Sequence, residues 1–407
     1  MAMIEKLFHK LFVAPSNDRM HAAALEKIRE RGVARVALVT SSLSMWRLEG
    51  VWRLMQDDPA FDCRIILVPF AKLSAEDKAF ELGKLRNYFD SKGIKYFEEE
   101  EFSAFDPDIV FYQQFYSHSY KDPVRALHNE HRLLCYAPYG VMFIDKKWQY
   151  DSRFHRRAWK IYMQSEAHKQ TSRRLCANSA ENVVVVGDAD SDSFAAASYA
   201  DPWKSQDNPK NRIIWAPHHK KLGRDSFEWT AEEMKRVAVD YSDRCQFAFK
   251  PHPRLKTELL KSPDWGPQKT QEFYDFWEKG GNTQLETGGF IELFRGSDAM
   301  IHDCNSFIAE YLYTRKPVLF LSSNTSRIRS TFGKFGKDAL DAHYTGDNSS
   351  AIREFIDKTV LGGEDPKKAE RERFYETYLK SSDDTGFAAR IVEDIKVSIQ
   401  AGPSQKH

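Results

Sequence analysis

The chain is predicted to be an α/β protein of two doubly wound, Rossmann-like lobes with an interlobe cleft, completed by a C-terminal helix that crosses back over the first lobe. Its 407 residues exceed the ~100–200 that one domain usually contains. Short apolar, β-branched runs alternate with helical patterns along most of the chain, which is typical of parallel sheets covered by helices on both faces. The alternation stops once, at a polar stretch over 195–211, and then restarts.

The first lobe is predicted over 1–195. A helical pattern at 21–31 precedes a β-branched run at 34–40, which ends in Ser41 and Ser42 before another helical pattern. A strand, a small-residue turn and a helix in this order are typical of the start of a doubly wound unit. The elements that complete the predicted lobe are a helix over 46–55, strands over 63–69, 108–112, 132–136 and 182–188, and helices over 75–92 and 154–171.

The second lobe is predicted over 211–360, after a linker that is rich in Ala, Ser, Asp, Pro, Lys and Asn and has no periodicity. A last segment, 361–407, contains a helical region over 366–400 that is charged at first and apolar later, and this is the region predicted to cross back. The elements predicted in the second lobe are strands over 212–217, 246–250, 299–302 and 317–321, and helices over 231–241, 271–279 and 306–313.

Composition excludes several classes of protein. The 60 basic and 59 acidic residues give a formal net charge of +1, so no overall field would attract nucleic acid. The five cysteines are scattered without a C-x-x-C spacing, which argues against a disulfide framework or a zinc site and favours a reducing compartment. No apolar run reaches the ~18–20 residues of a spanning helix, and no signal peptide is recognisable. These features predict a cytoplasmic protein.

The first thirteen residues form an amphipathic helical pattern with basic residues between the apolar positions. Two interpretations are open: the helix packs on its own domain, which is the simpler one, or it attaches peripherally to anionic lipid on the inner face of the cytoplasmic membrane. The apolar positions of this pattern are Ile4, Leu7, Phe8, Leu11 and Phe12.

The first motif with a possible role in binding or catalysis follows the predicted strand 246–250. His252 lies between two prolines, which restrict the backbone and hold the imidazole at the end of the strand. Lys250 and Arg254 are its basic neighbours, so the imidazole could stabilise or hydrogen-bond a diphosphate. The alternative is a turn histidine bonded to a nearby carbonyl.

The second motif follows the predicted strand 299–302. Asp303, Asn305 and Ser306 are all good N-cap residues in front of a predicted helix. The amides that begin such a helix bind phosphate, and the Asn305 and Ser306 side chains could add hydrogen bonds. Simple capping would explain one of these residues but not all three.

The third motif follows the predicted strand 212–217. His218, His219 and Lys220 add two imidazoles and an ammonium group to the same sheet edge, which suits an anion. Adjacent histidines cannot share one helix face, and no second pair at metal spacing accompanies them, so no metal is predicted. Phosphate contact and surface solvation both remain open for this motif.

In order and spacing these motifs resemble the CDP-glycerol glycerophosphotransferase family, which includes the teichoic-acid primases and polymerases and has a GT-B fold of two Rossmann-like lobes. The resemblance is carried by Ala-Pro-His-His-Lys at 216–220, Lys-Pro-His-Pro at 250–253, Ser-Asp-Ala-Met-Ile-His-Asp-Cys-Asn-Ser at 297–306 and the Lys-Pro-Val that follows at 316–318. Gly187 and Asp192 also match the family's Gly-x-Pro-Arg-x-Asp segment.

The resemblance implies roles for several residues. It assigns His252 to the donor phosphates, and it assigns Asp303, Asn305 and Ser306 to the phosphate-binding end of a donor helix. The chain also departs from the family, with His302, Cys304 and Asn305 in place of a threonine, a tyrosine and a serine. The class of donor is therefore better supported than its identity.

In the first lobe the family's Trp-His-Gly element is replaced by a sequence with Tyr139 before Gly140, so the histidine that is the candidate base is missing. His118 and Asp145 are the candidate bases in its place. Gln113 and Gln114 at the end of the strand 108–112, together with Tyr139 and Gly140, could bind the hydroxyl groups of an acceptor. The aromatic residues around them could stack on a sugar, although Phe111, Phe115 and Tyr116 could equally be core.

Together these features imply a CDP-polyol phosphotransferase, which moves glycerol phosphate or ribitol phosphate from a CDP-activated donor to a saccharide or polyol acceptor. CMP would be released, and the product would be a phosphodiester of a capsule or teichoic-acid-like glycan. No metal or other cofactor is predicted. The alternatives are a GT-B glycosyltransferase that uses a nucleotide sugar, an inactive nucleotide-binding subunit, and a nucleotide-sugar epimerase. The sequence predicts no particular oligomeric state.

Overall fold

The computed structural model of the chain describes residues 2–116, 119–219, 226–380 and 385–401. Two units are separated by their internal contacts: Met1–Asp192 with Ser381–His407, and Ser193–Lys380. Each contains one parallel β-sheet with helices, which confirms the predicted α/β class. Residues 361–380 lie in the second unit and do not form a separate segment with the last helix.

The sheet of the first unit has seven parallel strands in the order β3-β2-β1-β4-β5-β6-β7. The direction of strand order reverses between β1 and β4, and in open parallel sheets ligands bind outside the carboxyl ends of the strands at such a point. The strands are β1 (Ala34–Thr40), β2 (Phe61–Leu67), β3 (Tyr96–Glu98), β4 (Ile109–Tyr112), β5 (Leu133–Tyr136), β6 (Lys160–Met163) and β7 (Val183–Val185).

The helices of this unit begin with one continuous helical run from Ala2 to Arg31, in which a π-helical turn joins two α-helices. The run ends at Gly32, whose positive φ of 74° lets its amide reach the Ile28 carbonyl at 2.8 Å. The α-helices are α1 (Ala2–Phe8), α2 (Ala14–Arg31), α3 (Glu49–Gln56), α4 (Ala75–Ser91), α5 (Glu101–Phe105), α6 (Lys147–Tyr150), α7 (Arg153–Arg157), α8 (Glu166–Leu175) and α9 (Ser191–Ala195), where the chain passes into the second unit.

The sheet of the second unit has six parallel strands in the order β10-β9-β8-β11-β12-β13. Strand order reverses between β8 and β11, so the carboxyl ends of these two neighbours mark the expected ligand position of this sheet. The strands are β8 (Asn211–Ala216), β9 (Cys245–Phe249), β10 (Thr283–Leu285), β11 (Ala299–His302), β12 (Val318–Leu321) and β13 (Tyr344–Gly346).

An aromatic core supports the strands of the second unit. Trp215 in β8 is 1% exposed and stacks on Phe249 of β9, with 4.9 Å between ring centroids. The Trp277 ring also lies 5.2 Å from that of Trp215, so packed aromatic rings support β8 and β9. The α-helices of this unit are α10 (Ser226–Asp240), α11 (Leu255–Leu260), α12 (Gly266–Lys279), α13 (Ile291–Gly296), α14 (Thr325–Thr331), α15 (Lys334–Asp341), α16 (Ser349–Glu354) and α17 (Lys368–Phe374).

The last helix, α18 (Phe387–Gln400), packs on the first unit as predicted. Its fully buried Ile391 and Ile395 belong to the same apolar cluster as Val51 of α3. The Asp394 carboxylate accepts a hydrogen bond from the hydroxyl of Tyr162 in β6 at 3.0 Å. Apolar burial and this polar contact both hold α18 against the first sheet.

Two predicted helices were wrong. The prediction over 154–171 contains β6, because Ile161 and Tyr162 have strand-forming side chains and pair with β5 and β7. The prediction over 306–313 is replaced by two short 3₁₀ turns, Asn305–Phe307 and Glu310–Thr314. Aromatic and β-branched residues there form α-helix poorly, and the Thr314 hydroxyl donates to the Tyr311 carbonyl at 2.7 Å.

The predicted helical region 366–400 is also interrupted. After α17 the chain continues as a π-helical turn, Tyr375–Leu379, and α18 begins separately at Phe387. Among the described residues, no helix combines the length and apolar character needed to cross a bilayer.

Candidate functional site

The carboxyl ends of β8, β9 and β11 bring together polar side chains of all three sequence motifs. His218 and His219 follow β8, His252 follows β9, and Asp303 follows β11. The loops are joined by backbone bonds, because the His252 amide donates to the Pro217 carbonyl at 3.1 Å. A side-chain bond joins β8 to β11, since the His218 amide donates to Oδ1 of Asp303 at 2.5 Å.

The three imidazoles form one cluster, which we call the histidine cluster (His218, His219 and His252). Their ring centroids are 4.3 Å apart for His218 and His219, 4.7 Å for His218 and His252, and 4.5 Å for His219 and His252. His218 and His219 are each 8% exposed, and His252 is half-buried. One ring nitrogen of each lies within 4.8 Å of one on each partner, a spacing at which a single anion or metal ion can contact all three.

Burial keeps His252 neutral. Removal from water, together with the neighbouring His218 and His219 as potential cations, lowers the pKa of His252 to about 4. At neutral pH the ring therefore offers one N–H donor and one lone pair, not a positive charge. Its Nδ1 accepts the amide hydrogen of Arg254 at 3.2 Å, so in the neutral ring Nε2 carries the proton.

Lys250 supports the loop that follows β10. Its Nζ donates to the carbonyls of Gly288 at 2.8 Å and Gly289 at 3.1 Å, and the residue is 7% exposed. Burial lowers the pKa of Lys250 to about 8. Lys250 therefore holds a neighbouring loop by its ammonium group, while Lys220 lies outside the described residues.

The third motif lies beside the histidine cluster but does not begin an α-helix. Asp303 is 4% exposed and engaged by the His218 amide, Asn305 is half-buried, and Ser306 is exposed. A 3₁₀ turn of three residues begins at Asn305, so the strong helix dipole expected from the sequence is missing. Ser306 also hydrogen-bonds the Cys304 side chain, within the same short turn that follows Asp303.

In the first unit, Gln113 and Gln114 follow β4 at the point where strand order reverses. Gln113 is fully buried, and its Oε1 accepts the Arg47 amide hydrogen at 2.9 Å. Gln114 is half-buried, and its Oε1 accepts the hydroxyl hydrogen of Ser119 at 3.0 Å. Gln113 thus shapes the loop after β1, and only Gln114 reaches toward solvent.

The other sequence-predicted residues of the first unit are partly exposed. Tyr139 is 42% exposed, and the carbonyl of Gly140 accepts a bond from Gln164 at 3.3 Å. Asp145 forms an ion pair with Arg174 of α8 at 2.6 Å, so this candidate base already has a cationic partner. His118 lies outside the described residues.

Near Gln114, the sequence left open whether Phe115 and Tyr116 stack on a sugar or belong to the core, and Trp148 beside them was missed. Tyr116 stacks on Trp148 of α6 with 6.3 Å between centroids, and these rings are 37% and 52% exposed. Phe115 lies 4.3 Å from Tyr116 and completes the group. An isolated tryptophan in a polar segment is the only sequence signal for it, and exposed aromatic faces of this kind bind sugar rings.

A carboxylate pair after β7 was also missed. Oδ1 of Asp188 accepts the Asp190 amide hydrogen at 2.9 Å, and Oδ1 of Asp190 lies 3.5 Å from Nε of Arg47. Burial, followed by the mutual repulsion of the pair, raises the pKa of Asp188, and burial raises that of Asp190. The third aspartate of this segment, Asp192, accepts the Phe387 amide hydrogen at 2.9 Å and so holds the start of α18.

A family model described as "CDP-Glycerol:Poly(glycerophosphate) glycerophosphotransferase" matches residues 145–396, which is more than half of the chain. The match contains all three motifs of the second unit and both ends of the Gly187 to Asp192 segment. No curated protein sequence matches the chain significantly.

Solved structures show the fold. A UDP-N-acetylglucosamine 2-epimerase is 14% identical, with a TM-score of 0.61 over 90% of this chain and 96% of that one. The MnaA–UDP structure from S. aureus is 14% identical, with a TM-score of 0.58 over 90% and 97%. A variant of the wall teichoic acid polymerase TagF is 12% identical, with a TM-score of 0.57 over 98% of both chains. These likenesses confirm the predicted two-lobe, Rossmann-like GT-B fold.

Proposed function

The chain belongs to the CDP-glycerol:poly(glycerophosphate) glycerophosphotransferase family, and from this premise we propose that it is a CDP-polyol phosphotransferase. The donor is CDP-glycerol or CDP-ribitol, and the acceptor is a saccharide or polyol. Support for a CDP-glycerol donor comes from the family description and from TagF, which has been solved after a soak with CDPG. The product would be a phosphodiester of a teichoic-acid-like or capsular glycan.

The observation that carries this proposal is the histidine cluster at the reversal point of the second sheet. A pyrophosphate at this edge would face His252 and His219, with the Ser306 hydroxyl beside them. Because its Nδ1 accepts the Arg254 amide hydrogen, the neutral His252 ring can stabilise a growing negative charge by donating Nε2–H in a partly desolvated site. The sheet edge is also where doubly wound folds bind nucleotides.

In the proposed reaction a hydroxyl oxygen of the acceptor attacks the phosphorus that bears the polyol. The new P–O bond forms as the bond between that phosphorus and the bridging oxygen breaks, and the electron pair leaves with CMP. His252 stabilises the charge on the departing phosphate. The proton of the acceptor hydroxyl passes to a base, for which His118 and Asp145 are the sequence candidates.

The structure adds a further candidate for the base. Asp188 and Asp190 follow β7, and burial raises the pKa of both. The pKa of Asp188 is raised to about 7, which suits proton uptake near neutral pH better than that of an ordinary carboxylate. Asp145 is less suited, because its carboxylate is already engaged in an ion pair with Arg174. We therefore propose the carboxylate pair ahead of Asp145.

Acceptor binding is proposed for the first unit. The exposed rings of Tyr116 and Trp148 can stack on a sugar, while Gln114 and Tyr139 can hydrogen-bond its hydroxyl groups. Gly140 leaves open space where a Cβ would stand, so a ligand can approach the backbone there. Gln113 contributes by holding the Arg47 loop.

We also propose that the helical run 1–13 lies on the inner face of the cytoplasmic membrane, where the glycan would be assembled. Leu7 is 56% exposed and Phe12 is 64% exposed, so the apolar side of this run does not pack on its own domain. The opposite side is anchored, since Lys6 donates to the Arg173 carbonyl at 3.0 Å. An exposed apolar face with basic neighbours is typical of interfacial helices.

The test incubates the full chain with CDP-glycerol, CDP-ribitol or UDP-N-acetylglucosamine, with and without a polyol acceptor, and measures CMP and UDP. We expect CMP only with a CDP-polyol and an acceptor. His252→Ala should abolish turnover without lowering thermal stability much, whereas His131→Ala, at an exposed position of the first unit, should keep the wild-type rate.

Other outcomes would favour the rival functions. Release of UDP that requires an acceptor would indicate a glycosyltransferase. Conversion of the UDP-sugar without an acceptor would indicate an epimerase. Binding of CDP without release of CMP under any acceptor would indicate an inactive nucleotide-binding subunit.

A further inference from the structure

We propose that the histidine cluster binds one divalent transition-metal ion through His218, His219 and His252. Two ligands come from adjacent residues after β8 and the third from the loop after β9. Their ring nitrogens already lie within 4.8 Å of one another. Three nitrogens around one tetrahedral Zn²⁺ lie about 3.3 Å apart, because Zn–N bonds are about 2.0–2.1 Å. Metal binding would therefore draw the three rings closer together.

The hydrogen bonds of His218 and His219 select the coordinating nitrogen. Nδ1–H of His218 donates to the His219 carbonyl at 3.1 Å, and Nδ1–H of His219 donates to Oε2 of Glu258 at 3.2 Å. In each neutral ring this makes Nε2 the basic nitrogen. A carbonyl or carboxylate behind Nδ1 is the arrangement that orients metal-binding histidines and increases their basicity.

His252 differs in one respect. Its Nδ1 accepts the Arg254 amide hydrogen, so coordination through Nε2 would move its proton to Nδ1 and end that hydrogen bond. Glu258 lies 3.2 Å from His219 and supplies a negative charge just outside the three neutral ligands.

The chemistry of the ligands identifies the class of ion. Imidazole nitrogen suits Zn²⁺, Co²⁺, Ni²⁺ and Cu²⁺, whereas Mg²⁺ and Ca²⁺ prefer oxygen. No metal was predicted from the sequence, because adjacent histidines cannot share one helix face and no second pair at metal spacing accompanies them. Here both lie on a turn after a strand, and successive residues of a turn can face the same point. The third ligand comes from the end of the neighbouring strand.

Three protein ligands leave a coordination position open, as in catalytic zinc sites. Resting on the proposed function, we infer that a phosphate oxygen of the donor takes this position. Asp303 does not compete for it, because its carboxylate accepts the His218 amide hydrogen. The metal would then stabilise the charge on the departing phosphate together with the neighbouring hydroxyl of Ser306.

The test strips the full chain of metal with a chelator and titrates it with Zn²⁺ alone by calorimetry, without nucleotide. We expect one equivalent to bind. His219→Gln and His252→Gln should each lower the affinity by more than about 100-fold, and Glu258→Gln by about 10- to 100-fold. His128→Gln is the control, because this ring is 54% exposed in the first unit and should bind Zn²⁺ like wild type.

Failure to bind Zn²⁺ by folded wild-type protein would overturn the site, as would equal binding by wild type and both histidine variants. If those variants do not fold, two other measurements test the site: the Zn²⁺ affinity of Glu258→Gln, and the visible absorption spectrum of the Co²⁺-loaded wild type. Four-coordinate Co²⁺ with nitrogen ligands has a different spectrum from hydrated Co²⁺. If the protein binds no Zn²⁺ but still releases CMP, the proposed metal site is wrong and the proposed function stands.

The link to the donor is tested by measuring CDP affinity before and after Zn²⁺ is added to the stripped protein. We expect the affinity to rise by about tenfold or more when the metal is present. An unchanged CDP affinity in Zn²⁺-loaded protein would overturn the phosphate contact.

Discussion

The backbone amide of His218 donates to Oδ1 of Asp303, and the two atoms are 2.5 Å apart. This bond joins the loops after β8 and β11, the two neighbours at which the strand order of the second sheet reverses. Both residues are nearly inaccessible, with 8% and 4% of their surface exposed. The resemblance assigned Asp303 to the donor phosphates, but a carboxylate repels phosphate, so we propose that Asp303 positions the histidine cluster instead.

Asp303→Ala should therefore weaken both stability and donor binding. Loss of the acceptor leaves a buried amide without its charged partner, which costs about 1–3 kcal/mol. Thermal unfolding and CDP binding measure the two effects. Asp303→Asn keeps an oxygen at the same position and should lie close to wild type in both. If Asp303→Ala binds CDP as well as Asp303→Asn does, the positioning role is wrong.

Ser306→Ala should weaken CDP binding without changing stability. Ser306 is exposed beside the histidine cluster, and one hydrogen bond to a charged phosphate is worth about 1–2 kcal/mol. Calorimetry with CDP gives the affinity, and Ser323→Ala, at another exposed position of the same unit, is the matched control. An affinity equal to that of the control would place the phosphate away from this turn.

Long strands could be predicted well from the sequence. The runs at 34–40 and 299–302 coincide with β1 and β11, because apolar, β-branched residues over this length suit a strand that is buried on both faces. Strands β3 and β10 have only three residues each, and so short a segment carries no readable alternation. Strand β6 was not predicted for a different reason: the charged segments on both sides of it have a helical pattern.

The motifs of the candidate site could be predicted, but their contacts could not. Parallel strands place their ends at one edge, so the loops after β8, β9 and β11 were expected together. That Lys250 turns its ammonium group toward two carbonyls, or that three imidazoles meet, depends on strand order and packing. The raised pKa of Asp188 likewise arises from burial, which sequence spacing does not report.

The double variant Phe8→Ser, Phe12→Ser should reduce binding to anionic lipid vesicles by about tenfold or more, since each buried phenylalanine contributes about 1.5–3 kcal/mol. The two rings lie 5.1 Å apart and are 58% and 64% exposed, so their loss should leave thermal stability unchanged.

Co-sedimentation with vesicles that contain phosphatidylglycerol measures this effect. Val239→Ser, at a 60% exposed apolar position of the second unit, controls for general hydrophobicity. Equal sedimentation of wild type and the double variant would show that residues 1–13 do not contact the membrane.

Asp188 should make folding stability fall as the pH rises through neutrality. Burial and the nearby Asp190 raise its pKa from 3.8 to about 7 in the folded chain, so folding takes up a proton between these values. The stability from this group is fully present below pH 3.8 and is lost as the pH rises through about 7.

Asp188→Asn tests this dependence, because its side-chain oxygen can still accept the Asp190 amide hydrogen but cannot ionise. Compared with wild type, the variant should unfold at a higher temperature near pH ~9, and this advantage should be much smaller near pH ~5, where the folded wild-type carboxyl is protonated. Asp145→Asn is the control: its carboxylate is paired with Arg174, so the substitution should not stabilise the protein at high pH. A constant difference in melting temperature between wild type and Asp188→Asn across this range would show that Asp188 is ionised throughout, which would also remove the reason for preferring it as the base.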